Sequence, residues 1–339
     1  MANTSTYTTG AMTLAQWANM TNDPLVYQFT KSLLTLSNPL NDIPIVTKPS
    51  LKMNGQRLVT APTINWRALN ASAQPAQIAF TPFQESAYIV SNTLDVDVKL
   101  LQDENWITDP RAARLMAWAE GLNFDFANKF INNDHITGDQ NGIVGLRARL
   151  NQQSLYGTNA KCLIDGGGVD LSNGGISAAN ASTMNSLVRQ ALDEVGSPDG
   201  TGCCIYMNRD LRRRWERGLR LAGAGAGFDM VHDAYDRRVA VFDNAIIRPL
   251  GTQADQATEI ITSTETSTGA AGSSTYTSFY VVRYGQGYLQ GWQMDNLKVQ
   301  DIGQIPAEPS IYRLFVDWAV GLWQEHTRAV ARVYDIKTA

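Results

Sequence analysis

The stretch Asp109-Pro-Arg-Ala-Ala-Arg-Leu-Met-Ala-Trp-Ala-Glu-Gly-Leu-Asn-Phe-Asp-Phe-Ala-Asn-Lys-Phe-Ile-Asn132 sets the architecture. Leu115, Ala119, Leu122, Phe126 and Phe130 fall at i, i+4, i+7, i+11 and i+15, the spacing of one helix face. Arg111, Arg114, Asp125 and Lys129 lie off that face. Asp109 supplies a capping carboxylate, and Pro110 sits in the first turn, where a missing N–H costs no intrahelical bond. A helix from 110 to about 132 is roughly 35 Å long at 1.5 Å per residue. Asn132-Asn-Asp-His135 and Thr137-Gly138 end it. The segment reads as a structural spine.

Upstream, Leu94, Val96, Val98 and Leu100 alternate with Thr93, Asp95, Asp97 and Lys99, predicting a half-buried strand over 93–100. Residues 55–90 read as a long two-stranded arm. Ile64, Trp66 and Ala68 give an imperfect alternation, Asn70-Ala-Ser-Ala-Gln-Pro75 supplies turn chemistry, and Ile78 and Phe80 alternate on the return. Pro62, Pro75 and Pro82 keep these strands out of a sheet centre, because proline cannot donate to the ladder. A lone hairpin is marginal in water, so the arm should be ordered by a neighbouring subunit. Nearer the N-terminus, Asp23-Pro24 opens a short helix over 23–36 that Asn38-Pro39 ends. Ile43-Pro-Ile-Val46 is then extended, and residues 1–12 form a mobile terminus.

Downstream, a Gly-rich stretch at 165–175 precedes a helix over about 182–195. Ser182 is its expected cap, Leu187, Val188, Ala191, Leu192 and Val195 its stripe, and Gly196 and Pro198 its close. Cys204-Ile-Tyr-Met207 reads as a buried strand. Asn208 then caps a helix with Leu211, Trp215 and Leu219 on one face. Val239-Ala-Val-Phe242 and Ile246-Ile247 flank an Asp243-Asn244 turn, and the Ser/Thr-rich run 262–278 reads as an exposed loop. Phe279-Tyr-Val-Val282, Tyr288-Leu289 and Leu297-Lys-Val299 are short strands. Residues 311–336 form a strand pair that returns beside strand 93–100. The class is α+β, neither a βαβ series nor a repeat.

Composition narrows the function. The chain has 339 residues, 18% charged and 44% hydrophobic, with a net charge of −4. The low charge suggests that much of the surface meets protein, and the acidic balance argues against a dedicated nucleic-acid binder. No signal peptide or membrane-spanning run is visible, so the chain reads as soluble and made in a cytoplasm. The N-x-[ST] matches at Asn70 and Asn180 then read as chance. Cys162, Cys203 and Cys204 cannot build a disulfide framework and read as buried thiols. His135, His232 and His326 lack metal-ligand or triad spacing, and Gly223-Ala-Gly-Ala-Gly227 lacks the lysine of a phosphate loop. The acidic pairs Asp103/Glu104 and Asp193/Glu194 are adjacent residues that do not face one another on a helix. No catalytic, metal-binding or cofactor-binding residue is assigned. The charge cluster is Arg209, Arg212, Arg213, Arg214, Arg217 and Arg220, diluted by Asp210 and Glu216. It could contact nucleic-acid phosphates or pair with acidic residues of another protein surface.

The order of arm, hairpin, strand, long helix, α/β segment and final strands resembles the Hong Kong 97-like fold of tailed-bacteriophage major capsid proteins. Asp23-Pro-Leu-Val-Tyr27, the arm 55–90, the helix 110–132, Gly142-Ile-Val-Gly-Leu146, Asp317-Trp-Ala-Val-Gly-Leu322 and Arg328-Ala-Val-Ala-Arg332 carry the resemblance. It implies an N-terminal arm (1–54), an extended hairpin loop (55–92), a peripheral domain (93–150 and 295–339) and an inserted axial domain (151–294). It implies a non-enzymatic protein that assembles into hexamers and pentamers of an icosahedral shell around double-stranded DNA. The subunit would be made in the host cytoplasm and reside in the virion. Trp66, Arg67, Phe80, Arg209, Arg213, Arg217 and Arg220 are the candidate inter-subunit contacts. Implied partners are other copies, a portal protein, a separate scaffolding protein, non-specifically held DNA and, as an option, a decoration protein. Some members cross-link through a lysine of the extended loop. No lysine lies between Lys52 and Lys99 here, which implies no such chemistry. Some members also carry a long charged helical segment ahead of the arm. None precedes residue 23, which implies a separate scaffolding protein or none. Two alternatives stay open: an encapsulin-type nanocompartment shell, which the distinct arm before the hairpin argues against, and a glycan-active hydrolase using some of the eight tryptophans.

Overall fold

The computed structural model describes residues 38–60, 62–73, 75–76, 78–102, 109–221, 228–232, 238–266 and 275–338. The expected helix 23–36, the terminus 1–12, Asp103/Glu104 and Gly223–Gly227 lie outside the described residues.

Helix α1 spans Pro110–Asn132, with Asp109 accepting from the Arg111 N–H at 2.9 Å and Pro110 in the first turn. All five stripe residues are buried. Its aromatic side chains reach both halves of the molecule. Phe126 packs on Trp318 (6.4 Å between centroids), and Phe130 meets Tyr206 edge-on at 5.6 Å. Those two partners belong to different sheets.

The chain enters through a short helix, Asn38–Asp42, and β1 (Ile45–Thr47). Asn38-Pro39, expected to end a helix, opens this one, where the fixed φ of proline suits the first turn. Next come β2 (Lys52–Thr60), β3 (Ala79–Ser86) and β4 (Tyr88–Asp97). β2 and β3 pair only with each other. β4 stops three residues short of the expected strand end, because the Asp97 carboxylate accepts from the Lys99 N–H at 2.8 Å and starts the helix Val98–Leu101. Its local cap outweighs the alternation of Val98 and Leu100.

After α1, helix α2 covers Leu146–Asn151 and β5 Leu163–Asp165. Helix α3 is Ala178–Glu194, one turn longer than expected. Ser177, not Ser182, is the cap, its hydroxyl accepting from the Asn180 N–H at 3.2 Å. The intervening Ala178, Ala179 and Ala181 suit a helix. β6 (Cys203–Asn208) is wholly buried and feeds α4 (Arg209–Leu221), which buries Leu211, Trp215, Gly218 and Leu219. A Cβ at Gly218 would stand 2.9 Å from that of Ala181, so glycine permits the α3–α4 crossing.

Strands β7 (Asp229–His232), β8 (Arg238–Phe242), β9 (Ala245–Leu250) and β10 (Tyr276–Arg283) follow. The β8–β9 turn holds Asp243 and Asn244 at positive φ, a favoured two-residue hairpin geometry. β10 begins inside the run expected to be an exposed loop, and Thr277 and Ser278 are fully buried. The chain closes with β11 (Leu289–Gln293), β12 (Lys298–Ile305), β13 (Glu308–Gln324) and β14 (Val330–Lys337).

The long β13 organises a five-stranded sheet. β4 runs along one edge, from Ile311 opposite Asp97 to Val320 opposite Tyr88. β12 and then β11 occupy the other edge, and β1 adds parallel to β11. The expected return of the C-terminal segment beside strand 93–100 is thus present. The second sheet has seven strands in the order β5-β14-β10-β6-β9-β8-β7. The expected strand pair 311–336 is divided: β13 stays in the first sheet and β14 lies inside the second. A boundary at 295 therefore does not coincide with sheet membership, because β11 sits in the first sheet and β14 in the second.

Candidate assembly surfaces

The β2–β3 hairpin is fixed at its root by charged groups that strand alternation does not reveal. Arg57 donates through Nε to the Glu325 carbonyl (3.2 Å), Nη1 to Tyr156 (2.6 Å) and Nη2 to Gln324 (2.5 Å). Its guanidinium also lies 4.1 Å over the Phe83 ring, and Phe83 packs on Trp323 at 4.4 Å. Gly55 passes so close to Trp323 that a Cβ there would stand 2.6 Å from the indole. From β3, Glu85 accepts two bonds from Arg149 on α2, at 2.8 and 2.7 Å. Arg149 has a side-chain exposure of 2%. Burial works against its charge, and the Glu85 carboxylate more than offsets this, holding its pKa above the ordinary value. Burial lowers the Arg57 pKa, an effect that the Glu85 carboxylate offsets only in part and the Arg149 charge adds to.

Away from the root the hairpin is stripped of intramolecular cover. Trp66 is 97% exposed, Leu69 93% and Ile64 70%. Ile78 and Phe80 are more than half exposed. Residues 62–68 form no strand; the alternation expected at Ile64, Trp66 and Ala68 is absent because no second strand pairs there. The turn comes at 68–71, with Asn70 at φ 67° and the Ala71 N–H donating to Ala68 at 3.2 Å. Arg67 donates to the Ala71 carbonyl and is otherwise exposed. Of the predicted contact residues, Trp66, Arg67 and Phe80 thus share one bare segment.

The other predicted set forms a separate surface. Asn208 caps α4, its Oδ1 accepting from the N–H groups of Asp210 and Leu211. With Leu211, Trp215 and Leu219 buried, Arg209, Arg213, Arg217 and Arg220 fall on the exposed face. Asp210 pairs with Arg214 (2.5 Å) and more loosely with Arg213 (3.6 Å), and Glu216 pairs with Arg220 (2.5 Å). Arg217 has no ion-pair partner among the described residues.

The three cysteines are buried and none is in a disulfide, and burial pushes the thiols of Cys162 and Cys203 up to about 12 and about 11. Such thiols are poor nucleophiles at neutral pH. His135 bonds the Gly142 carbonyl at 2.6 Å, and the His326 ring accepts from the Arg328 N–H at 3.0 Å. Burial, with Arg283, Arg328 and Arg57 nearby, holds His326 below its ordinary value. No cluster of His, Cys, Asp and Glu among the described residues is placed to hold a metal ion. No helix among them is long and apolar enough to cross a membrane.

Residues 30–177 match a family model described as major capsid protein GP7. No curated protein sequence matches the chain. Among solved structures it is similar to the holo-SrpI encapsulin complex from Synechococcus elongatus PCC 7942, with 11% identity, TM-score 0.58, and 89% of each chain covered. It is similar to the capsid of a native GTA particle computed with C5 symmetry, with 12% identity, TM-score 0.56, and 91% of this chain and 90% of that one covered. A third likeness is to Microbacterium phage Oxtober96, with 13% identity, TM-score 0.55, and coverage of 89% and 91%. The fold is the Hong Kong 97-like one, and the resemblance to tailed-phage major capsid proteins expected from the residues holds.

Proposed function

We propose that this chain, which has the Hong Kong 97-like fold, is a shell-forming major capsid protein of a tailed bacteriophage. The observation that carries the reading is the hairpin: its root is locked by Arg57, Glu85 and Arg149, while its outer segment exposes Trp66, Leu69 and Ile64. A projection anchored at its root and bearing bare apolar residues serves a surface on another molecule. Identical copies joined by two different patches make heterologous contacts, which close into rings. Hexamers and pentamers in an icosahedral shell around double-stranded DNA are the assembly we assign. Its role is structural rather than catalytic, its place the virion, and its partners are other copies, a portal and a separate scaffolding protein. Domain limits in this reading follow the expected division, with 289–293 joining the peripheral sheet and 330–337 the axial one.

Expression of the full chain, alone and beside its neighbouring genes, with negative-stain electron microscopy tests this. Closed shells or rings of five and six subunits are expected. Monodisperse monomer under both conditions would overturn it. The encapsulin-type alternative is favoured by one observation, the likeness to an encapsulin shell. The match of 30–177 to a capsid-protein model favours the phage reading. Protein cargo in place of DNA inside purified shells would decide for the alternative.

The exposed arginine face of α4 is assigned to contact with neighbouring subunits. Arg213→Ala with Arg217→Ala should leave subunit stability within about 0.5 kcal/mol, as exposed substitutions do, and should reduce capsomer yield. DNA retention in the shells that do form should not change. Normal assembly with leaky shells would reassign the face to DNA.

A further inference from the structure

The sequence holds three Asn-Gly pairs: Asn54-Gly55, Asn141-Gly142 and Asn173-Gly174. Each is a latent reaction site, because a glycine nitrogen has no neighbouring Cβ to hinder its approach to the asparagine side-chain carbonyl. Closing a ring between the two needs an N–H that gives up no hydrogen bond and open space around the pair. The fold denies these to two pairs and leaves them to the third.

Asn54 and Gly55 lie inside β2, opposite Gln84 and Phe83 of β3. A Cβ on Gly55 would stand 2.6 Å from the Trp323 indole, so the backbone is pinned there. Asn141 is exposed, but Gly142 is buried. The Gly142 N–H donates to the Asp139 carbonyl at 3.4 Å, and a Cβ there would meet Lys129 at 3.0 Å and Asn133 at 3.1 Å. Ring closure at either pair must wait for local opening.

Asn173 and Gly174 are the exposed central residues of a turn that leads into α3. The Ser172 carbonyl closes this turn, accepting from the N–H groups of Gly175 at 2.9 Å and Ile176 at 3.0 Å. The Gly174 N–H itself has no partner among the described residues, and nothing lies within 4 Å of where a Cβ would stand. The Asn173 Oδ1 accepts from Arg214 Nη1 at 3.4 Å. A guanidinium at that oxygen favours the negative charge that develops there as the ring closes.

We infer that Asn173 is a site of spontaneous modification, converting to aspartate and isoaspartate through a cyclic imide with Gly174. The Gly174 nitrogen, its proton passing to base in the solvent, forms a bond to Asn173 Cγ. The Cγ–Nδ2 bond breaks, and the amide nitrogen takes a proton from water and leaves as ammonia. Water then adds to one of the two imide carbonyls. Cleavage at Cγ gives aspartate; cleavage at the main-chain carbonyl gives isoaspartate, with one methylene added to the backbone. Nothing is oxidised or reduced. Either product adds one negative charge beside Arg214, at the edge of the α4 arginine cluster.

The test incubates the full chain at neutral and mildly alkaline pH and follows each pair by peptide mass spectrometry, with isoaspartate detected by enzymatic methylation. In the folded chain Asn173 is expected to convert at least about tenfold faster than Asn54 or Asn141, since those react only from locally opened states. The rate should rise with pH, and in denaturant the three rates should converge. Gly174→Ala places a methyl group in open space at a φ outside the left-handed region. That chain is expected to fold as before and to convert at Asn173 several-fold more slowly. Conversion of folded Asn54 or Asn141 as fast as Asn173, an Asn173 that stays intact, or an unchanged rate in a folded Gly174→Ala chain would each overturn the inference.

Discussion

Replacing Glu85 with alanine is expected to destabilise the subunit by about 3–5 kcal/mol, the cost of removing one partner of a buried ion pair. Arg149 would be left with 2% side-chain exposure and no carboxylate, keeping only its bond to the Val144 carbonyl. The Gln324 N–H, which donates to Glu85 at 3.2 Å, would lose its acceptor too. The loss should show as a lower denaturant midpoint, with faster hydrogen exchange along 52–60 and 79–86 than in the seven-stranded sheet. Glu85→Leu combined with Arg149→Met should recover most of it, since apolar replacement of both partners leaves no buried charge. A cost below about 1 kcal/mol, typical of an exposed pair, would show that the hairpin root is held by something else.

A comparable loss is expected for Asp42→Ala. Its carboxylate takes three bonds from Arg248, at 2.8 to 3.1 Å, and one from the Tyr206 hydroxyl at 3.1 Å. Both members of the ion pair are almost fully buried, at 6% and 4% side-chain exposure. Breaking such a pair costs about 3–5 kcal/mol. The phenotype should differ from that of Glu85. Asp42 ties the entry segment to Arg248 in β9, so protection should fall first in β1 and in β11 beside it. If exchange instead rises first in the hairpin, the two anchors are not independent.

The elements with strong local signals were legible from residues alone. The Asp109-Pro110 start and five-residue stripe gave α1, and Asn208 with Leu211, Trp215 and Leu219 gave α4. Alternation around Val316 and Trp318 gave β13. Alternation does not encode a partner, so the division of the last two strands between sheets was not legible. Short-range competition was also invisible: Asp97 turns Val98 into a helix start, and Ser177 captures a cap expected at Ser182. Of the candidate contacts, the exposed ones were legible because a tryptophan amid proline and polar residues has nothing local to bury against. The anchors were not. Arg57, Glu85, Arg149, Asp42 and Arg248 look like surface residues in sequence, and only the fold brings each carboxylate to its guanidinium. A Ser/Thr-rich run likewise concealed Glu265, which binds Arg147 and, at 3.0 Å, Arg332.

The passage of the chain from β13 to β14 has a mechanical consequence. Arg57 grips the carbonyls of Gln324 and Glu325, the point where the chain leaves one sheet for the other. A pull on the hairpin is therefore delivered to the junction between two interior strands. β13 is flanked on both sides, and β14 lies between β5 and β10. Tension directed along those strands loads their hydrogen bonds together, in shear, rather than peeling them one at a time. A pull on the hairpin is thus carried into strands that have a partner on either side rather than into an edge strand.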